Sequence, residues 1–277
     1  MTIALMSLLL GLGAFAAGLL GALTGLGGGI VIVPLLTLAF GVDIRYAVGA
    51  SLVSVIATSS GAAAAYVREG YTNIRVGMLL EVATTIGALG GAYLAGWISP
   101  NAIAVIFAVV LLFTAVQSLR PHPEHITSEP SPLAARLRLG STYPTPEGRQ
   151  PYQVRNVPAG FGLMFLAGIL SALLGIGSGV VKVLAMDRAM HLPFKVSTTT
   201  SNFMIGVTAA ASAGVYLSRG YIDPVLALPV MLGVLAGALL GAQVLTRAPT
   251  RALRLLFTAV VVVLAVEMFY KGMRGGL

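Results

Sequence analysis

The sequence predicts an all-α polytopic membrane protein, built as two inverted-topology repeats of about five helical segments each, with glycine-broken helices meeting near the membrane midplane. Three observations predict it. Of the 277 residues, 57% are hydrophobic and only 9% charged, too little polar surface to cover a water-soluble body of this size. Apolar runs of roughly 20 residues, the length that crosses a hydrocarbon core roughly 30 Å thick, recur along the chain. The chain also repeats itself: Gly25-Leu26-Gly27-Gly28-Gly29 returns as Gly175-Ile176-Gly177-Ser178-Gly179, an offset of 175 − 25 = 150 residues. The same ungapped offset pairs Gly18 with Gly168, Ser51 with Ser201, Thr58 with Thr208, Tyr66 with Tyr216 and Gly87-Ala88 with Gly237-Ala238.

The first membrane repeat covers 1–119. It reads as an apolar run at 3–23, a glycine break, a short helix at 30–41, then runs at 45–66, 76–97 and 101–119. No basic leader precedes the first run, so that helix is expected to stay in the mature protein. Residues 120–158 are rich in proline and arginine and read as a cytoplasmic polar linker rather than a domain. The second membrane repeat, 159–277, has runs at 159–174, 196–217, 224–245 and 252–270, with a short helix at 180–191 after its own break. Ten-residue alternating strands are absent, so the backbone satisfies its hydrogen bonds within helices.

Charge sets the orientation. With the linker in the cytoplasm and an odd number of crossings per half, Arg68, Arg75, the five linker arginines, Arg188, Lys195, Arg247, Arg251 and Arg254 lie inside, twelve in all. Only Arg45, Arg219, Lys271 and Arg274 lie outside. Parallel repeats would divide the same residues ten against six. The inverted arrangement is therefore favoured, with both termini outside, and the short helix of each half either spans or dips in. The net charge of +8 is spread over helix ends, which points to the lipid bilayer and away from nucleic acid. The absence of cysteine excludes disulfides, thiolate chemistry and cysteine-ligated metals. A homodimer is compatible with the sequence.

The breaks are the first candidate site. Glycine weakens a helix, and the freed N–H groups at the start of the next helix present a positive dipole end, where an anion is the natural ligand. Close helix packing by small residues is the plain alternative. Lys182 lies three residues after Gly179 among Val180, Val181, Val183 and Leu184, and its repeat mate is Ile32. A lysine at a membrane centre costs roughly 2.5–3.5 kcal/mol, so it faces either an anionic substrate or a structural partner such as Glu81 or Glu267.

Hydroxyls form the third group: Ser197-Thr198-Thr199-Thr200-Ser201-Asn202 in one half, Ser51, Ser54 and Thr58 in the other. They serve as helix caps and back-bonds, or as neutral donors to an oxyanion. Glu81, whose mate is Met231, either carries a coupling proton or neutralises Lys182. His122, His125 and His191 have no metal-site spacing. Nucleophile elbow, Walker loop and HExxH are all missing, so neither an enzyme nor a cofactor is expected.

The glycine breaks, Arg45-Tyr46-Ala47-Val48-Gly49-Ala50-Ser51-Leu52, Gly70-Tyr71-Thr72-Asn73, Ser201-Asn202-Phe203 and Gly220-Tyr221-Ile222-Asp223-Pro224 together resemble the TauE/SafE sulfite exporter family, over almost the whole chain outside the linker. The resemblance implies a secondary transporter of the cytoplasmic (inner) membrane for a small anionic substrate, sulfite or a sulfonate such as sulfoacetate, often moved outward. It carries a binding role onto Gly27, Gly28, Gly29, Ser51, Gly177, Ser178, Gly179, Thr200, Ser201 and Asn202. Lys182 joins them on the physical argument alone. The expected mechanism is alternating access around an anion held between the two breaks. A passive anion channel and a non-transporting membrane scaffold are the alternatives.

Overall fold

The computed structural model describes residues 3–24, 29–68, 70–119, 131–145, 148–245 and 250–275. Eight long helices carry the fold among them. They are α1 (Ile3–Thr24), α3 (Ile44–Arg68), α4 (Ile74–Ala95), α5 (Pro100–Leu119), α7 (Val157–Leu174), α9 (Phe194–Ser218), α10 (Pro224–Leu245) and α11 (Thr250–Arg274). Each falls on one of the apolar runs in the sequence. Proline opens α5 and α10, where a missing N–H costs nothing. Asn73 caps α4 by accepting the Val76 N–H at 3.1 Å. α4, α5, α7, α10 and α11 are each long and apolar enough to cross a bilayer.

Two short helices follow the breaks. α2 (Gly29–Pro34) continues as a π-helical turn, Leu35–Ala39, and α8 (Gly179–Leu184) continues as another, Ala185–Ala189. Each composite rises only about 16 Å, roughly half of a hydrocarbon core, so it completes a crossing only together with the break ahead of it.

The halves are interlocked. α1 packs along α10 and α4 along α7, while α3 meets α9 and α5 meets α11. Under the 150-residue offset the first two pairings exchange and the last two map onto themselves. Backbone detail obeys the same rule. A Cβ on Gly18 would run into the carbonyl of Val234, and one on its mate Gly168 into the carbonyl of Thr84, the mate of Val234. Likewise Gly87 faces the carbonyl of Phe165, and Gly237 that of Phe15. Small residues let these helix backbones touch, the packing that membrane helices use when hydrophobic burial cannot drive association.

The outer faces are apolar. On α4, Met78, Val82 and Ile86 lie four residues apart and point outward, while Leu80, Glu81, Thr84 and Ala88 point in. Tyr93 and the strongly exposed Trp97 mark the end of that helix, where amphipathic rings suit the headgroup level.

Segment 120–158, which reads as a polar linker, holds regular structure in its described part. α6 (Pro132–Arg136) is capped by Ser131, and β1 (Ser141–Thr145) pairs antiparallel with β2 (Gly148–Tyr152), the one departure from all-α among the described residues. The reason is a small apolar set hidden in polar sequence: Leu139, Tyr143, Tyr152 and Val154 pack on Val76 and Leu80 of α4, Met164 of α7, Met190 and Val196. Asn73 ties the hairpin down through Nδ2, donating to Leu139 O at 2.9 Å and to the Tyr152 hydroxyl at 2.8 Å. Arg75 donates to Arg138 O, and Arg155 N to Met190 O.

Candidate functional site

The second break is built from left-handed backbone. Gly175 ends α7 at φ +66°, Gly177 stands at φ +70°, and Ser178 occupies the same region at φ +47°, where a non-glycine residue is strained. Ser178 Oγ is buried and has no hydrogen-bond partner among the described residues. α8 opens at Gly179, and its first helical hydrogen bond runs from Lys182 N to Ser178 O. The N–H groups ahead of that bond have no helical acceptor.

Hydroxyls from the long helices reach the break. Ser51 on α3 donates to Gly175 O at 2.7 Å and Ser201 on α9 donates to Gly179 O at 3.3 Å. Gly29, at the start of α2, sits so close that a Cβ would lie 3.0 Å from Gly175 O and 3.1 Å from Ser51 Oγ. Gly29, the described residue of the first break, therefore meets the second: Gly29, Ser51, Gly177, Ser178, Gly179 and Ser201 share one region. Gly27 and Gly28 lie outside the described residues.

Lys182 is wholly buried one turn into α8. Its Nζ donates to Thr208 Oγ1 at 2.6 Å, and Thr208 Oγ1 lies 2.8 Å from Glu81 Oε1, to which it donates. Thr85 adds a second donor to the same oxygen at 3.2 Å. The lysine, the hydroxyl and the carboxylate come from α8, α9 and α4, and their repeat mates are Ile32, Thr58 and Met231. The charged pair thus joins the two halves, and the equivalent set of Ile32, Thr58 and Met231 carries no charge. Glu81 Oε2 is buried without a hydrogen-bond partner among the described residues.

Two further candidates lie on α9. Thr200 is buried, and its hydroxyl accepts the Asn73 N–H at 3.0 Å, fixing the loop before α4. Asn202 is half-buried on α9. Glu267 is exposed on α11, away from Lys182's hydrogen bonds. Among the described residues no cluster of His, Asp and Glu is grouped to hold a metal. Thr208 is the residue the sequence reading did not single out for this site. Its only signal was its equivalence to Thr58, because a lone threonine in an apolar helix usually back-bonds, and Met204 O, 3.0 Å from the Thr208 hydroxyl, is the alternative acceptor here.

Apolar outer faces, helices long enough to cross a bilayer and a polar site buried at a helix break define a multi-pass membrane transporter. The chain belongs to the sulfite exporter TauE/SafE family, whose sequence profile matches residues 10–268. It is similar to the probable membrane transporter protein YunE of Bacillus subtilis (strain 168), 26% identical over 265 residues that make up 92% of this chain and 94% of the relative. It also resembles the probable membrane transporter protein YdhB of the same organism, 28% identical over 230 residues, 83% of this chain and 86% of the relative. A probable membrane transporter protein of Methanocaldococcus jannaschii is 24% identical over 268 residues, 92% of each chain. No solved structure matches the chain.

Proposed function

We propose that the protein is a secondary transporter of the cytoplasmic membrane that moves a small sulfur-containing or organic anion, sulfite or a sulfonate such as sulfoacetate, outward by alternating access. The observation that carries the reading is Lys182: a lysine fully buried one turn past a glycine break, in a half-membrane helix. A charge in that position is expensive and marks a pathway or a binding site. N–H groups at the start of α8, which have no acceptor within the helix, and the Ser178 hydroxyl, unpartnered among the described residues, add neutral donors of the kind an oxyanion takes.

The anion sits between the breaks, against Gly27, Gly28 and Gly29 of one half and Gly177, Ser178 and Gly179 of the other. Ser51 and Ser201 hold the breaks in shape, Thr200 and Asn202 line the adjoining turn of α9, and Lys182 supplies the positive charge. The repeats are inverted, as the distribution of Lys and Arg favours, and rocking of one against the other changes which side the site faces.

The test is thermal stability of the purified protein against sulfite, sulfate, sulfoacetate, methanesulfonate, taurine and chloride, with Lys182→Ala alongside. A ligand at 100 times its Kd contributes about 2.7 kcal/mol to the folded state. Stabilisation by a sulfur oxyanion or sulfonate, lost in the variant, supports the reading. A panel without effect sinks it and leaves the breaks as packing devices.

A further inference from the structure

Lys182 and Glu81 are joined through a single hydroxyl, and that hydroxyl has two acceptors within reach. Thr208 Oγ1 receives the Lys182 proton donor at 2.6 Å and has one proton of its own to give. Glu81 Oε1 is 2.8 Å away and Met204 O is 3.0 Å away, so the proton goes to one or the other. The hydroxyl can thus release the carboxylate without leaving itself unsatisfied.

Charge balance says when it should. With Lys182 cationic and Glu81 anionic the buried pair is neutral. Adding a monoanion at Lys182 would leave a net negative charge in a low-dielectric interior, which is costly. One proton on Glu81 restores neutrality. Oε2, buried and without a hydrogen-bond partner among the described residues, is the atom open to it. Among the described residues, the groups packed around Glu81 leave no other compensating charge close by. Lys182 comes from α8, Thr208 from α9, and Thr84 and Thr85 from α4 itself. The segment of α7 that packs on α4 has no charged residue. Arg75 at the start of α4 is bound to Arg138 O, and Lys195 and Arg188 are exposed. Asp187, in the π-helical turn after α8, is buried but acidic.

We propose that Glu81 takes up one proton for each monoanion that binds at Lys182, with Thr208 as the positioning residue that switches between them, so that anion and proton cross together. The inference rests on the anion-transport reading and adds its coupling ion. The proton comes from bulk water and forms an O–H bond on Glu81 Oε2. The Thr208 hydroxyl turns from Glu81 Oε1 to Met204 O, and Lys182, relieved of the carboxylate's charge, pairs with the anion. No other bond changes. Methionine at the equivalent position 231 matches isoleucine at 32, the equivalent of Lys182: a second carboxylate there would bring a second charge with no lysine to balance it.

Proteoliposomes loaded with a pH-reporting dye, given a gradient of methanesulfonate, test this, because that sulfonate stays ionised and brings no proton of its own. Wild type should move methanesulfonate and protons together, and Glu81→Gln should move methanesulfonate with the proton signal lost. Binding to wild type checks the same point without a variant: affinity should rise about tenfold per unit fall in pH where one proton is taken up per anion. Thr208→Val should flatten that slope and Thr208→Ser should keep it. Methanesulfonate movement without protons, an unchanged proton signal in Glu81→Gln, or binding indifferent to pH overturns the coupling and leaves the transporter reading standing. Failure of methanesulfonate to bind while sulfite stabilises the protein also overturns it. Failure of the whole panel sinks both.

Discussion

Ser51 Oγ donates a 2.7 Å hydrogen bond to the carbonyl oxygen of Gly175, joining the third helix of the first half to the helix break of the second. The two residues are 124 positions apart and both are buried. The carbonyl belongs to a residue at φ +66°, where the helix ladder has ended.

Ser51→Ala therefore leaves the Gly175 carbonyl buried without that donor. The expected loss is about 1–3 kcal/mol of stability, the cost of an unmade buried hydrogen bond. Thermal unfolding in detergent measures it. A variant as stable as wild type would mean the break is held by packing alone.

Breaking the buried pair has a distinct signature. Lys182→Met should cost about 3–5 kcal/mol, because Glu81 keeps its charge without a partner. Lys182→Met with Glu81→Gln should cost clearly less than the sum of the single changes, since neither charge then remains. Additive losses in this double-mutant cycle would show that Thr208 does not couple the two.

The glycine contacts at the helix crossings predict a matched pair. Gly18→Ala and Gly168→Ala should each cost about 1–3 kcal/mol, as both place a Cβ into a facing carbonyl. Gly214→Ala is the control: nothing lies within 4 Å of its added Cβ, and alanine is the better helix former, so the change should be neutral or stabilising. Unequal responses at 18 and 168 would contradict the equivalence of the two crossings.

The hairpin should report its attachment through alkaline pH. Burial pushes the Tyr152 hydroxyl up to about 12 from an ordinary value of 10.0, despite the hydrogen bond from Asn73. The folded state thus holds this proton more tightly than the unfolded one. The contribution is complete below about pH 10 and is lost as pH rises toward about 12. Tyr152→Phe should remove that part of the alkaline slope in the unfolding temperature. An identical slope in both proteins would mean that the ring leaves its site before it ionises.

What the sequence determined by itself was local or periodic. Apolar length placed the eight long helices within a few residues, because a bilayer demands a fixed span of every crossing segment. Glycine placed the breaks at Gly29 and Gly179, and the 150-residue offset foretold that Gly18 and Gly168 would make equivalent contacts. Lys182 stood out because charge inside an apolar helix is conspicuous.

Tertiary structure alone decided the partners. Thr208 and Glu81 are 127 residues apart, so nothing in local pattern or helical period could pair them, and a threonine carries no charge to draw notice. The same holds for Thr200, whose hydroxyl accepts the N–H of Asn73 from 127 residues away in the chain. The hairpin of 141–152 escaped because its few buried side chains are scattered among prolines and arginines, and their apolar partners lie on α4, α7 and α9 rather than in the segment itself. Hydrophobic length is legible one segment at a time; a hydrogen bond or a shared core exists only once distant segments have met.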